Sequence, residues 1–124
     1  MVKISEEKVL SLHEMLTRET GGSAALRDAS LLQSALASAF ATFDGKELYP
    51  TVEEKAARIG FSLIANHAFV DGNKRIGMLV AFTLLEVNGI HPHPSCDEFA
   101  RVGLAVAAGE MGYEAFLAWI LENK

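Results

Sequence analysis

Apolar residues recur at helical spacing along almost the whole of this chain, and stretches that alternate as a strand would are nearly absent. That pattern alone restricts the fold to helices packed on helices. Ser5 followed by Glu6 and Glu7 opens a first helix that buries Val9, Leu12, Leu16 and, at the edge of the stripe, Met15, ending before Gly21-Gly22. Asp28 is placed to cap a second, carrying Leu31, Leu32, Ala35 and Leu36. Thr42 to Pro50 reads as a loop. Thr51 and Glu54 have capping-box spacing and open a third helix, with Val52, Ala56, Ile59 and Leu63 on one face, running to about Asn66. Ile76 to Val87 is apolar nearly all round, the mark of a helix at the centre of a domain, and Asn88-Gly89 stops it. His91-Pro92-His93-Pro94 is extended, since proline disfavours helix in the residue before it. Ser95 and Glu98 repeat the capping-box spacing for a helix to about Ala108. A last helix, Tyr113 to Leu121, sets Phe116, Trp119 and Ile120 against the core. The expected fold is a compact all-α bundle of about six helices, one domain over residues 1–124, because a chain of this length buries one core but not two.

Composition removes several classes of function. Half the residues are hydrophobic and 22% are charged, as in ordinary globular proteins. A net charge of −5 argues against general nucleic-acid binding, which needs a basic surface. The single cysteine, Cys96, excludes an internal disulfide and fits a reducing cytosol. Lys3, Glu6, Glu7 and Lys8 give the expectation of no signal peptide, and the apolar run Ile76–Leu85 is too short to span a bilayer. A cytoplasmic protein is expected.

The third and fourth helices are joined by HAFVDGNKRIG, His67 to Gly77, where polar and flexible groups are denser than a core element carries. Asp71-Gly72 signals a turn, so Gly72, Asn73, Lys74 and Arg75 lie at the amino end of a helix. Free N–H groups and the helix dipole there favour an anion, phosphate above all. His67 is a candidate proton acceptor, or alternatively a cap on the carbonyls of the preceding helix. Asp71 can hold a magnesium ion that bridges phosphate oxygens, or cap the helix that follows. Gly72 allows close approach of a phosphate or serves a plain turn. Asn73 with neighbouring amides completes an anion nest. Lys74 and Arg75 read as phosphate clamps, or else as solvated cations, although like charges at the positive end of a helix dipole conflict unless an anion joins them. Phe69 reads as the anchor of the loop.

Elsewhere the bland readings prevail. His91 and His93 lack a third ligand for a metal site. His13 reads as a surface or boundary residue, Cys96 as a small filler near a helix start, and Phe116 and Trp119 as core. Arg27-Asp28 belongs to the fold, with Asp28 as a cap.

HAFVDGNKR resembles the signature of the Fic/Doc family, and Lys74 makes it similar to the Doc branch, since Fic members carry glycine there. GGSAALRDASLLQSAL from Gly21, YPTVEEKAA from Tyr49 and LLEVNGI from Leu84 are also Doc-like, so the resemblance covers nearly the whole chain. Two departures stand out: Ala68 where proline is common, and Met78 where Fic enzymes add a second arginine. The resemblance implies a Fic/Doc (Fido) fold and a toxin using ATP and Mg2+. Its kinase-like reaction would pass the terminal phosphate to a threonine or serine hydroxyl of a protein, a translation elongation factor, arresting translation. His67 would be catalytic, Gly72, Asn73, Lys74 and Arg75 would bind the nucleotide, and Asp71 would hold the metal. It also implies an antitoxin whose partly disordered tail folds into a groove on the toxin. Self-inhibiting Fic enzymes carry a helix whose pattern begins with Ser or Thr; the nearest approach here begins with Ala118, which favours inhibition in trans. AMP transfer through the same motif and a non-catalytic nucleotide-binding module are the alternatives.

Overall fold

The helix starts marked in the sequence are the points at which the chain turns helical. In the computed structural model, which describes residues 1–124, six helices follow in order: α1 (Glu6–Thr20), α2 (Ala29–Ser38), α3 (Val52–Asn66), α4 (Asn73–Val87), α5 (Cys96–Ala107) and α6 (Tyr113–Asn123). Ser5 caps α1, Asp28 caps α2, Thr51 and Glu54 form the full capping box of α3, and Ser95 caps α5. Each side chain satisfies an amide that has no acceptor within its own helix.

Four expectations need correcting. The stretch read as a loop contains a small antiparallel hairpin, β1 (Thr42–Phe43) and β2 (Lys46–Glu47), turned by Asp44 and Gly45 at φ 53° and 77°. Asp-Gly suits such a two-residue turn because both positions need positive φ. Lys55 secures the hairpin from α3: its buried ammonium donates to Glu47 Oε1 at 3.0 Å and to the carbonyl of Tyr49. Second, the box at Ser95 is only half made, because the Glu98 carboxylate binds Arg101 and the Trp119 indole instead. Third, Met15 is exposed, one position off the buried stripe of α1. Fourth, Cys96 is exposed at the start of α5, and so fills nothing.

Twenty-three buried apolar residues, drawn from all six helices, make one core. The most extensive contact is between α3 and α4. Gly60 and Gly77 make it possible: a Cβ on Gly77 would stand 2.5 Å from Ile64 Cγ1 and 2.8 Å from the Gly60 carbonyl. Phe116 and Ile120 are fully buried and Trp119 nearly so, as the spacing of the last helix implies. No helix is long and apolar enough to cross a membrane.

Candidate functional site

The tight α3–α4 pair presents the six residues that join it, His67 to Gly72, at one end of the core. His67 ends α3 in the left-handed conformation (φ 54°, ψ 53°), with an exposed side chain. Its main chain is held from outside. Arg27 Nε donates to the His67 carbonyl at 2.6 Å and Arg27 Nη2 to that of Asn66 at 3.0 Å. The carbonyls that end α3 are therefore satisfied by Arg27, while the imidazole stays outside the core. Amides of Arg27 and Asp28 bond to Ala68 O, and the Val70 amide bonds to Ala25 O. The chain from Ser23 to Asp28 thus runs beside the loop as a brace.

Phe69 is buried and anchors the loop, as its place in the motif suggests. Asn73 fixes it there: Nδ2 donates to Phe69 O at 2.9 Å, and Oδ1 accepts from Phe69 N–H at 3.0 Å. With both ends of its amide engaged, the Asn73 side chain serves the loop and is not free for a ligand. Nδ2 also lies 3.5 Å from His67 Nδ1, which brings histidine and helix start together.

Asp71 does not cap α4. Gly72 does, at φ 77°, and no side chain accepts from the first-turn amides. The Asp71 carboxylate turns the other way, accepting the Ser23 amide on Oδ2 at 3.1 Å. The first turn contains no acid, and neither Lys74 nor Arg75, both exposed, forms a salt bridge. Amides of Asn73, Lys74 and Arg75, the dipole and two cations therefore add at one place with no counter-charge from a cap. Asp71, Gly72 and Arg75 line a polar cleft of about 240 Å³ with Thr17, Thr20 and Gly22. Arg75 also borders, with Lys74, an apolar groove of about 480 Å³ between α1, α4 and α5, lined by Leu16, Leu79, Phe99 and Leu104. Met78 lies buried under that groove, against Gly103. His67 belongs to neither hollow.

His13 corrects the reading of a surface residue. It is 1% exposed, stacked on Phe69 with ring centroids 3.8 Å apart, and its Nε2 lies 2.6 Å from the Asp71 carbonyl. The spacing did contain the signal. Val9, Leu12, His13 and Leu16 stand at i, i+3, i+4 and i+7, so position 13 falls within the stripe that faces the core. Arg27 had no such signal, since its acceptors lie about forty residues on.

A family model described as Fic/DOC family matches residues 3–85, well over half the chain, from the amino terminus through the loop and most of α4. A protein named Toxin Doc, from Mycolicibacterium smegmatis (strain ATCC 700084 / mc(2)155), is 46% identical over 70 residues. Those residues are 56% of this chain and 54% of that protein, so the match spans about half the relative's length.

Proposed function

Because this chain belongs to the Fic/DOC family, we propose that it is a Doc-like toxin of a toxin–antitoxin pair, and that it transfers the terminal phosphate of ATP to a threonine or serine hydroxyl of a protein target. The target class proposed is a translation elongation factor, whose modification arrests translation. The observation that carries the reading is the start of α4: an amino terminus without a side-chain cap, with Lys74 and Arg75 in its first turn, no acid within that turn and no salt bridge to either cation.

The roles follow from position. The amides of Asn73, Lys74 and Arg75 receive phosphate oxygens, with Gly72 allowing close approach. Arg75, at the border of cleft and groove, supplies a planar fork and Lys74 a mobile charge. His67, exposed beside Asn73, takes the proton of the incoming hydroxyl as that oxygen bonds to the γ-phosphorus, the bond from that phosphorus to the β-phosphate oxygen breaks, and ADP leaves. Catalysis of this kind rests on positioning and charge neutralisation. A magnesium ion would be held jointly by the protein and the nucleotide. No cluster of three histidine, cysteine or acidic side chains could hold one alone, whereas Asp71 with phosphate oxygens and water makes an ordinary magnesium set. When bound, the ion neutralises phosphate charge.

The antitoxin proposed is an amphipathic segment that folds into the α1–α4–α5 groove, its apolar side on Leu16, Leu79, Phe99 and Leu104 and an acidic side toward Lys74 and Arg75.

Lys74 and Met78 favour phosphate over AMP transfer. Lysine fills the position that glycine leaves open in Fic enzymes, and the buried thioether of Met78 supplies no second fork for phosphate. A target incubated with this protein is expected to gain label from γ-labelled ATP and none from α-labelled ATP, with a phosphate-sized mass increment. Label from the α position, with an AMP-sized increment, would replace the kinase reading by AMP transfer. No label from either favours a non-catalytic module.

A further inference from the structure

We infer that His13 is a positioning residue of the loop: its Nε2–H, bonded to the Asp71 main-chain oxygen, holds the turn from which α4 and its amides start. The inference deepens the anion-site reading above and rests on it for its functional consequence. A carbonyl oxygen can only accept, so the 2.6 Å contact places the ring proton on Nε2. The other nitrogen, Nδ1, is buried without a partner. Imidazole is therefore a poor filler for this part of the core, because a methionine or leucine would occupy it without leaving a polar atom unsatisfied. As a donor aimed at Asp71 it is well suited.

Its surroundings fix its direction. The ring lies nearly parallel to Phe69, at 19°, and Phe69 is in turn clamped at its amide and carbonyl by Asn73. Gly72 completes the fit: a Cβ there would come within 3.4 Å of Nε2, and its φ of +77° already disfavours a side chain. Thr17, one turn further along α1, lines the cleft beside Asp71 and Arg75. Helix α1 thus supplies both a wall of the cleft and the donor that sets its floor. Loss of that donor would leave the Asp71 carbonyl unpaired and release the turn, displacing the Asn73–Arg75 amides from the place where a phosphate is held.

Glutamine and methionine at position 13 provide the test, because they share an unbranched chain of similar length and differ in whether its end can donate. Both lose the stack on Phe69 equally. Amide exchange is measured without nucleotide at Phe69, Val70 and Ile76, whose acceptors are Asn73, Ala25 and Gly72. Calorimetric titration with magnesium-ATP is run alongside. His13→Gln is expected to stay within about threefold of wild type in both, and His13→Met to lose about tenfold in loop protection and in affinity, the share of one hydrogen bond. Amides in the middle of α3 should exchange alike in the two variants. A residue that merely filled the core would give the opposite order, with methionine at least as good as glutamine. That order, or two variants behaving alike whether folded or unfolded, overturns the inference. Absence of ATP binding by the wild-type protein would defeat the anion-site reading instead, while the exchange comparison would still decide the role of His13.

Discussion

At His67 the backbone holds a conformation that suits glycine better than histidine. Its φ of 54° and ψ of 53° lie in the left-handed region, at the point where many helices end on glycine. A side chain there costs roughly 1–2 kcal/mol, against which glycine's extra freedom in the unfolded chain offsets about 0.5–1. The imidazole is exposed, and its contact with Asn73 Nδ2 is 3.5 Å long, too weak to compensate. His67→Gly is therefore expected to melt at the same temperature as wild type or a few degrees higher, a gain of at most about 1.5 kcal/mol. On the function proposed above, it should nevertheless lose growth arrest and transfer activity, because the proposed proton acceptor is gone. Calorimetric melting and colony counts on induction check the two halves separately. A stable glycine variant with full activity would remove His67 from the mechanism.

Among the elements, α3 and α4 matter most, since their approach determines where the loop between them is presented. Gly77 is the closest point. In an exposed helix, Gly→Ala gains about 1 kcal/mol from propensity alone. Here the new methyl would meet Ile64 Cγ1 at 2.5 Å and the Gly60 carbonyl at 2.8 Å, and a main-chain oxygen cannot rotate aside. The steric effect wins, and Gly77→Ala should lose on the order of 1–3 kcal/mol as an overpacked core does. The urea midpoint is expected to fall. A midpoint equal to or above that of wild type would mean that the two helices can separate without cost. Elements also explain why the start of α4 differs from the others. At α1, α2, α3 and α5 a serine, aspartate or threonine accepts the first-turn amides, while α6 begins at a glycine with Glu114 in its first turn. Only α4 combines an uncapped start with cations.

For the molecule as a whole, three carboxylates contribute to how acid affects stability. Hydrogen bonds from Ser30 and nearby amides hold Asp28 below the usual aspartate range, Lys124 lowers Glu53, and Arg101 and Trp119 lower Glu98. A folded-state pKa below the unfolded value means that the unfolded chain binds the proton more readily. The stabilisation is thus complete above the ordinary carboxylate values of about 4 and disappears as pH falls through the depressed folded values. Because each of these pairs keeps contact with solvent, the effect should be modest and should shrink in salt. At the alkaline edge, burial pushes Tyr113 up to about 12, so its phenol favours the fold below its usual value near 10 and ceases to do so as pH rises through 12. Melting temperatures from pH 7 down to 2.5 should hold to about pH 4.5 and then fall, with a smaller fall for Glu98→Gln; an equal fall in that variant would clear Glu98. The sequence by itself determined the six helices, the caps of α1, α2, α3 and α5 and the position of the loop, because those signals act over three or four residues, as Ser5 on Lys8 and Thr51 on Glu54 do. Only the tertiary structure decided that Asp71 faces Ser23 rather than its own helix, that Glu98 leaves its box for Trp119, and that His13 lies under the loop. Those partners stand 21 to 58 residues apart, and a side chain with a local and a distant partner available takes the one that the packing of the elements brings within reach.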